Sequence, residues 1–378
     1  MSLESLKIAL HGSYFSANFG DVLLLSIFNK WVRNFCSPSE VVLPFASPEV
    51  RHHVGEVAGE SGFRSLLRTT SLIYTGGGYF GEDSVRQIRW GFGAIARHAP
   101  VGLIAKSLKK PYAIIGVGAG PITNKFTRRI VVELCNNADT LAVRDNESRD
   151  YLLEYGVKKG IKVTADAALT LSRSNIPQSK VEQAKLILSR LPQELKLGIH
   201  VSQPSTKGEK WRLLFEEIKE FAYKNPNVGL FLLIDHDRAV GQHMATVELN
   251  EALPKQSMIV PYEDHQLLTA LISEMDLVAT NKLHVGIVSA AVGTSVVSFP
   301  FHNKTLRFYK QIEAEQRCIP LKFVERGDIK RQIERYLLND DTNSLVPGIV
   351  RNLAENNRQL LRDFLKKHGH ECDLRNTK

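Results

Sequence analysis

The sequence predicts an α/β protein made of two doubly wound units with a cleft between them. The 378 residues suit two domains at roughly 150 residues each. Two long stretches alternate short apolar runs with amphipathic segments, the pattern of parallel sheets with helices on both faces. Between these stretches, residues 171–180 (LSRSNIPQSK) lose the apolar periodicity and contain Ser, Asn and Pro, which is typical of a linker.

In the first half, six apolar runs predict buried strands, and amphipathic segments predict helices between them. The predicted strands cover residues 6–12, 41–45, 71–78, 112–120, 140–145 and 161–166. The predicted helices cover residues 21–35, 85–108, 127–136 and 146–155. We therefore predict a first doubly wound domain over residues 1–175.

The second half repeats this alternation of strands and helices. The predicted strands cover residues 196–202, 228–235, 258–262, 275–280 and 294–300. The predicted helices cover residues 211–224, 237–253, 265–274 and 282–291. We predict a second domain over residues 176–345, and a terminal helix with a polar tail over residues 346–378.

The charge balance favours anionic partners. There are 49 Lys and Arg against 40 Asp and Glu, a formal net charge of +9. No run of five or more basic residues occurs, which argues against a nucleic-acid partner. A local pocket that binds a small anion remains the alternative. Apolar residues make up 43% and charged residues 24%, values of an ordinary globular protein, and no apolar run approaches the ~20 residues of a membrane-spanning helix.

The cysteines predict a reducing compartment. Cys36, Cys135, Cys318 and Cys372 lie far apart and form no C-x-x-C pair, so a zinc ribbon is excluded and the first three are expected to be buried. The N-terminus is too short and too polar for a signal peptide, and we predict a cytoplasmic protein. Residues 233–243 offer Asp235, His236 and Asp237 to a metal, but a polar loop is the favoured interpretation, and no metal site is predicted.

Unusual residues collect in loops that follow predicted strands. Ligands of doubly wound folds bind at the carboxyl ends of the strands, so these loops are candidate binding elements. They are GSYFSANFGD (12–21), TGGGYFGED (75–83), GVGAGP (116–121), LAVRDNES (141–148), TAD (164–166) and the stretch 280–312. In the first loop, Asp21 either caps a helix or helps to present a helix N-terminus to a polar ligand.

Glycines in two of these loops allow a ligand to approach the backbone closely. Gly77 and Gly78 belong to a run of three, and Gly116, Gly118 and Gly120 alternate with other residues. The alternating set lacks the G-x-G-x-x-G order and is a poor dinucleotide fingerprint. Neither set is followed by Lys-Ser/Thr, which excludes a P-loop. Tight turns between strand and helix are the alternative interpretation.

Basic residues stand at the ends of several predicted strands. Arg144 offers a guanidinium fork for phosphate or carboxylate, or pairs with a local carboxylate. Lys282 and His284 stand at the start of a predicted helix, where the dipole favours anions. A hydrogen-bonded structural role is the alternative for the histidine. Lys304 and Arg307 follow the next strand.

Taken in order, these segments resemble the polysaccharide pyruvyl transferase family. The matching pieces are SANFGD, TGGGYFG, GVGAGP, AVRDNES, VTADAAL, and NKLHVGIVSAAVGTSVV followed by FHNK, and they span about residues 8–312. The resemblance implies two Rossmann-like halves of the GT-B type. It also implies transfer of a pyruvyl group from phosphoenolpyruvate to two hydroxyls of a sugar, with closure of a cyclic ketal and release of phosphate.

The resemblance also implies roles for individual residues. By position, Arg144 is a catalytic and donor-binding residue and His284 the proton donor. Lys282 and Lys304 complete the donor site with the glycine loop at Gly77 and Gly78. For the acceptor sugar, the candidates are Asn18, Asp21, Glu147 and Asp166. The family usually has arginine where Lys282 stands, and Tyr-Asp-Pro where Phe301, His302 and Asn303 stand.

Two further functions remain open at this stage. A GT-B glycosyltransferase with a nucleotide sugar would use the same glycine loops and basic groups, and a non-catalytic sugar- or anion-binding relative would keep the fold alone. The expected partners are phosphoenolpyruvate as co-substrate and a lipid-linked or nucleotide-linked sugar, with no other cofactor, and stimulation by a divalent metal is left open. The basic surface suggests peripheral association with the inner face of an anionic membrane.

Overall fold

Two parallel sheets organise the chain in the computed structural model, which describes residues 6–14, 17–36, 40–81, 87–202, 208–236, 240–338 and 345–370. Contacts divide the chain into two units. The first consists of Met1–Ala17, Asp21–Ala167 and Ile349–Lys378, and the second of Asn18–Gly20 and Ala168–Gly348. The α/β class predicted from the sequence is confirmed.

The first unit alternates strands and helices as the apolar runs predicted. Its elements are β1 (Lys7–His11), α1 (Phe19–Phe35), β2 (Glu40–Val42), α2 (Pro48–Val54), α3 (Phe63–Leu67), β3 (Ser71–Tyr74), β4 (Gly77–Phe80), α4 (Gln87–Ser107), β5 (Tyr112–Ala119), α5 (Lys125–Asn137), β6 (Thr140–Val143), α6 (Asn146–Glu154) and β7 (Lys162–Val163).

All pairings in the first sheet are parallel, in the order β2-β1-β3-β5-β6-β7. Strand β4 continues along the same side of β5 that β3 occupies, since β3 pairs with residues 112–114 and β4 with Val117 and Ala119. The carboxyl ends of all these strands therefore meet at one edge of the sheet. Buried side chains such as Leu72, Tyr74 and Ile114 form the core of this unit.

The second unit contains a second set of alternating strands and helices. Its elements are α7 (Gln178–Leu188), β8 (Leu195–His200), α8 (Glu209–Lys224), β9 (Val228–Leu233), α9 (Val240–Ala252), β10 (Ser257–Val260), α10 (His265–Ser273), β11 (Leu277–Thr280), α11 (Leu283–Val292), β12 (Ser295–Ser298), α12 (Asn303–Gln311) and α13 (Asp328–Leu337). A further helix, α14 (Gly348–Lys367), follows.

The second sheet is also parallel, with the order β10-β9-β8-β11-β12. The chain winds outward from β8 in one direction through β9 and β10, and then in the other through β11 and β12. The order therefore reverses between β8 and β11, and ligands bind at such points in open α/β sheets. Buried residues including Ile199, Leu230 and Phe221 form the core of this unit.

Helix α14 groups with the first unit, although the sequence analysis set residues 346–378 apart. Asn357 on this helix is fully buried and donates from Nδ2 to the Ala165 carbonyl at 2.8 Å. A side chain at Gly116 would come within 3.1 Å of Asn357 Oδ1, so the glycine makes room for this contact. The contacts also place the start of the second unit at Ala168, eight residues before the predicted start at residue 176.

Several short or charged elements differ from the sequence expectations. Helix α7 begins inside the stretch predicted as a linker, and two 3₁₀ turns, Ala167–Thr170 and Arg173–Asn175, precede it. The sequence analysis missed α2, α3, α7, α12 and α13 and merged β3 with β4. Helices α2 and α3 have only seven and five residues, too few for an extended periodic pattern. Helix α13 does carry an apolar stripe of Ile329, Ile333, Tyr336 and Leu337, which the sequence analysis did not use.

Two other findings concern cysteines and membranes. Cys36, Cys135 and Cys318 are free and buried, as expected, and Cys372 lies outside the described residues. Within the described ranges, no helix is long and apolar enough to cross a membrane.

Candidate functional site

Polar side chains collect where the second sheet reverses its strand order. His200 is the last residue of β8, Asp235 follows β9, and Lys282 follows β11. Because these strands are parallel neighbours, their carboxyl ends bring the three side chains together at one edge.

Lys282 and Asp235 form an ion pair there. Lys282 Nζ lies 2.5 Å from Asp235 Oδ2, and the exposed fractions of the two side chains are 31% and 1%. Burial alone would raise the pKa of the Asp235 carboxyl, but the neighbouring Lys282 and His200 outweigh it and hold that pKa well below its usual range. Asp235 is therefore an ionised carboxylate inside the protein.

The fully buried His200 connects this ion pair to its surroundings. Its Nε2 atom lies 3.2 Å from Asp235 Oδ1 and 2.8 Å from Gln242 Nε2. On the other side of the ring, Nδ1 lies 3.2 Å from Thr280 Oγ1. The same hydroxyl accepts the backbone N–H of Lys282 at 3.0 Å. The His200 imidazole thus contacts Asp235, which pairs with the Lys282 side chain, and Thr280, which accepts the Lys282 backbone N–H.

The short segment Asn18–Gly20 also belongs to this part of the second unit. The Phe19 N–H donates to the Asp235 carbonyl at 2.9 Å. A Cβ atom at Gly20 would lie only 2.0 Å from His284 Nδ1, so the glycine permits the imidazole to pack against the backbone. The SANFGD motif therefore brings Asn18 close, along the chain, to residues that contact Asp235 and His284.

Lys282 and His284 lie at the start of α11, as the sequence predicted. Lys282 occupies the N-cap position and His284, half-buried, lies in the first turn. Lys304 is exposed in the first turn of α12, which follows β12. Helix N-termini carry a partial positive charge, so the three residues stand where anions are favoured.

In the first unit, Arg144 pairs with a carboxylate. Its Nη1 donates to Asp166 Oδ2 at 3.0 Å, and both side chains are buried. Its Nε lies 3.8 Å from Asp145 Oδ2, and Asp145 also caps α6 by accepting the Ser148 N–H at 2.6 Å. Arg144 follows β6 and Asp166 follows β7, so this pair lies at the carboxyl edge of the first sheet.

Glycines make room for the Arg144 side chain. A Cβ atom at Gly118 would lie 2.8 Å from Arg144 Nε, and one at Gly78 would lie 3.4 Å from Nη2. The alternating glycines of GVGAGP are thus explained in part by side-chain packing, a reason that the sequence analysis did not consider. Gly77 has φ of +142°, a conformation that only glycine adopts readily.

The remaining acceptor candidates lie near these elements of the first unit. Asp21 is half-buried in the first turn of α1, and Glu147 is half-buried in the first turn of α6. Asp166, also a candidate for the acceptor, accepts from Arg144.

No group of three or more His, Cys, Asp and Glu side chains in the described part of the chain could hold a metal ion. Asp235 contacts cationic and hydrogen-bonding groups, and Asp237 lies outside the described residues. Phosphate and carboxylate groups fit the cationic groups of both sheet edges better than a metal does.

Sequence reasoning missed the roles of His200 and Asp235. His200 ends β8 and Asp235 lies two residues after β9, and a polar residue at the end of a largely apolar strand is the signal that could have found them. Their pairing with Lys282 depends on how β8, β9 and β11 are ordered in the sheet.

Comparison with known families supports the resemblance. A family model described as polysaccharide pyruvyl transferase matches residues 18–303. This range includes all the candidate site residues except Lys304, which lies one residue beyond it. A comparison with curated proteins found no match.

Solved structures with the same fold include three whose bound molecules contain UDP or a UDP-sugar. Anabaena HepE in complex with UDP and glucose has a TM-score of 0.58 at 13% identity, covering 96% of this chain and 98% of its own. UDP-GlcNAc 2-epimerase from Neisseria meningitidis bound to UDP-GlcNAc has a TM-score of 0.63 at 12% identity, with 96% and 99% covered. The epimerase from Methanocaldococcus jannaschii has a TM-score of 0.62 at 11% identity, with the same coverage. These likenesses establish the GT-B-like fold.

Proposed function

Because the chain belongs to the polysaccharide pyruvyl transferase family, we propose that it transfers the pyruvyl group of phosphoenolpyruvate to two hydroxyls of a sugar. The product is a cyclic ketal on a precursor of a surface polysaccharide or exopolysaccharide, and phosphate is released. The observation that carries the proposal is the arrangement at the start of α11, where the fixed Lys282 ammonium stands two residues from the His284 imidazole.

The donor is a small, strongly anionic molecule, and the cationic residues suit it. Phosphoenolpyruvate carries a phosphate and a carboxylate, which Arg144, Lys282 and Lys304 neutralise in this proposal. Arg144 is best suited to a planar carboxylate or phosphate edge, since its fork donates two parallel hydrogen bonds. Lysine offers a point charge with three donors, which suits a phosphate oxygen.

The reaction begins with a proton from His284 to the methylene carbon of the donor. The adjacent carbon then becomes electrophilic, and one sugar hydroxyl adds to it and loses its proton. Departure of phosphate and attack by the second hydroxyl, with loss of its proton, close the ketal. A positioned general acid contributes ~100- to 10,000-fold to such a step. Asn18, Asp21, Glu147 and Asp166 are the candidates for contacts with the acceptor, which is lipid-linked or nucleotide-linked in this proposal.

The donor proposal is tested by a thermal-shift titration. Selective binding raises the apparent stability, so phosphoenolpyruvate should stabilise the native chain. The stabilisation should disappear in Arg144→Ala and survive in His284→Ala, while phosphate release with an acceptor sugar should be lost in both. Each variant is compared with its own ligand-free melting temperature, because removing a buried arginine weakens the fold. Absence of any effect of phosphoenolpyruvate on the native chain contradicts the proposal.

A nucleotide sugar is the second candidate ligand. HepE and the epimerases of the same fold were solved with UDP or UDP-sugars, which makes these molecules the natural competitors in the titration. Stabilisation by UDP- or GDP-sugars without an effect of phosphoenolpyruvate would favour a glycosyltransferase. Binding of phosphoenolpyruvate without turnover across varied acceptors would favour a non-catalytic relative.

We propose a cytoplasmic reaction, at the inner face of the membrane when the acceptor is lipid-linked, with no cofactor beyond the donor.

A further inference from the structure

We infer that Asp235 is a positioning residue that holds the Lys282 ammonium for an anionic ligand, and that His200 and Gln242 hold Asp235 in turn. The inference deepens the proposed function, since it assigns the group that places one of the donor-binding cations. The ligand chemistry is a phosphate group, which phosphoenolpyruvate and a nucleotide sugar share.

The two side chains of the ion pair differ sharply in exposure. Asp235 is almost completely buried, whereas about a third of the Lys282 side chain is exposed. The carboxylate is therefore held inside, and the ammonium is the member of the pair that a ligand reaches. Because Lys282 has a long and flexible stem, an anchored ammonium loses less conformational freedom when it binds a phosphate oxygen.

The carboxylate is itself fixed through backbone and side-chain contacts. The backbone carbonyl of Asp235 accepts the Phe19 N–H at 2.9 Å, and the backbone N–H of Asp235 lies 3.4 Å from Gln242 Oε1. Gln242 also contacts His200, whose ring reaches Asp235 Oδ1. The position of Asp235 thus depends on three separate segments of the second unit, which contain Phe19, His200 and Gln242.

The contacts close a ring that begins and ends at Lys282. The side chain contacts Asp235, Asp235 contacts His200, His200 contacts Thr280, and the Thr280 hydroxyl accepts the Lys282 backbone N–H. Both ends of the lysine are therefore fixed by one connected network. A buried ion pair is by itself weak evidence for stability, since apolar residues often replace one without loss. Its location at the reversal of strand order, with the cation exposed, indicates a binding role instead.

A second Lys–Asp pair of the same unit supplies a matched control. Lys180 Nζ lies 2.6 Å from Asp264 Oδ2, and both side chains are about one quarter exposed. Asp264 caps α10, and asparagine is an equally good cap. Asp264→Asn therefore removes an ion pair of the same composition while keeping the local fold.

The test measures how fast trace amounts of acetic anhydride label each lysine, read by mass spectrometry. In the ligand-free protein, Asp235→Asn should raise the labelling of Lys282 several-fold and leave Lys180 unchanged, and Asp264→Asn should do the reverse. Inorganic phosphate should protect Lys282 in the native chain. The phosphate concentration for half-protection should rise about tenfold in Asp235→Asn, within the range of coupled neighbours, and should not change in Asp264→Asn.

Steady-state kinetics separates a positioning role from a merely structural one. If phosphoenolpyruvate is the donor, Asp235→Asn should raise its KM with a smaller change in kcat, and Lys282→Ala should add little in the Asp235→Asn background. Additive effects of the two substitutions overturn the inference. Failure of phosphoenolpyruvate as a substrate, with the labelling results as expected, contradicts the proposed function alone.

A folding failure of Asp235→Asn does not prevent the test. Gln242→Ala removes a contact of Asp235 and His200 without exposing a charge, and it should shift the half-protection concentration in the same direction by a smaller factor. The inference is overturned if phosphate does not protect Lys282 in the native chain, or protects it equally in the folded variants.

Discussion

Arg144 donates to Asp166 across 3.0 Å, and Gly118 provides the space in which the arginine side chain lies. The ion pair orients the guanidinium fork and offsets part of its charge. Removing one partner of a buried pair costs about 3–5 kcal/mol, so substitutions of Arg144 itself combine a functional effect with a loss of stability. A substitution at a neighbouring residue that displaces the Arg144 side chain separates the functional effect from the loss of stability.

Gly118→Ala should impair donor binding while both members of the ion pair, Arg144 and Asp166, are still present in the chain. A Cβ atom at this position would lie 2.8 Å from Arg144 Nε, so the guanidinium must shift. Displacements of about an ångström at a positioned group cost up to about 100-fold in catalytic efficiency, and we expect a fall of about 10- to 100-fold in kcat/KM. Gly160→Ala is the matched control, because nothing lies within 4 Å of the added methyl group. An unchanged kcat/KM in Gly118→Ala would count against a functional Arg144.

Gly20→Ala should affect turnover rather than donor binding. Its methyl group would lie 2.0 Å from His284 Nδ1, which forces the imidazole out of its present position. If His284 is the general acid, kcat should fall by about 100-fold or more, while stabilisation by phosphoenolpyruvate persists. Gly208→Ala, with open space around the new methyl group, should leave kcat unchanged. A Gly20→Ala protein with normal kcat would exclude His284 as the acid.

Two buried histidines of the first unit should make the fold sensitive to acid. His11 Nε2 lies 2.9 Å from His98 Nδ1, and the ring of Tyr79 stacks on His98. Burial, with a smaller contribution from Arg97, lowers the pKa of His98 to about 3, and burial together with His98 lowers the pKa of His11. As the pH falls, the unfolded chain therefore protonates these two imidazoles before the folded protein does.

The free energy of unfolding should accordingly be greatest above about pH 6.5 and fall between about pH 6.5 and 3. Each neutral buried imidazole contributes up to about 1.4 kcal/mol per pH unit in that window. Urea unfolding at several pH values measures the slope. His98→Gln should flatten it, and His52→Gln, at an exposed position, should leave it unchanged. Parallel slopes for the native chain and His98→Gln would refute this explanation.

Most of the fold was predictable because each half alternates apolar runs with amphipathic segments. The period of the apolar residues identified the strands and the longer helices, and the order of the motifs identified the family. Helix α12 has few apolar residues, and α3 has five residues in all, so neither has enough periodicity to be recognised. The placement of α14 on the first unit depends on the Asn357 contacts, which no local pattern reveals.

The candidate site was predictable residue by residue but not in its pairings. Lys282 and His284 follow a strand and open a helix, and that position can be seen in the sequence. The ion pairs cannot be seen there, because the partner of Lys282 lies just after β9 and the partner of Arg144 just after β7. Which carboxylate meets which cation depends on the order of strands in each sheet, a property of the whole unit.

Glu217 should contribute strongly to the stability of the second unit. This buried carboxylate on α8 accepts N–H groups at the start of α13: Ile329 at 2.9 Å, Lys330 at 3.1 Å and also Gly327. Negative charge at a helix N-terminus is favourable, and without the carboxylate the buried Ile329 N–H would lose its partner. Glu217→Ala should lower the free energy of unfolding by about 1–3 kcal/mol in urea denaturation. Glu217→Gln should cause a smaller loss, because the amide still offers one acceptor oxygen, although without charge.

The neighbouring Glu216, whose side chain is 59% exposed in its ion pair with Arg326, is the control. Glu216→Ala should change the free energy of unfolding by less than about 0.5 kcal/mol. Equal losses at the two positions would show that the carboxylate does not hold α13.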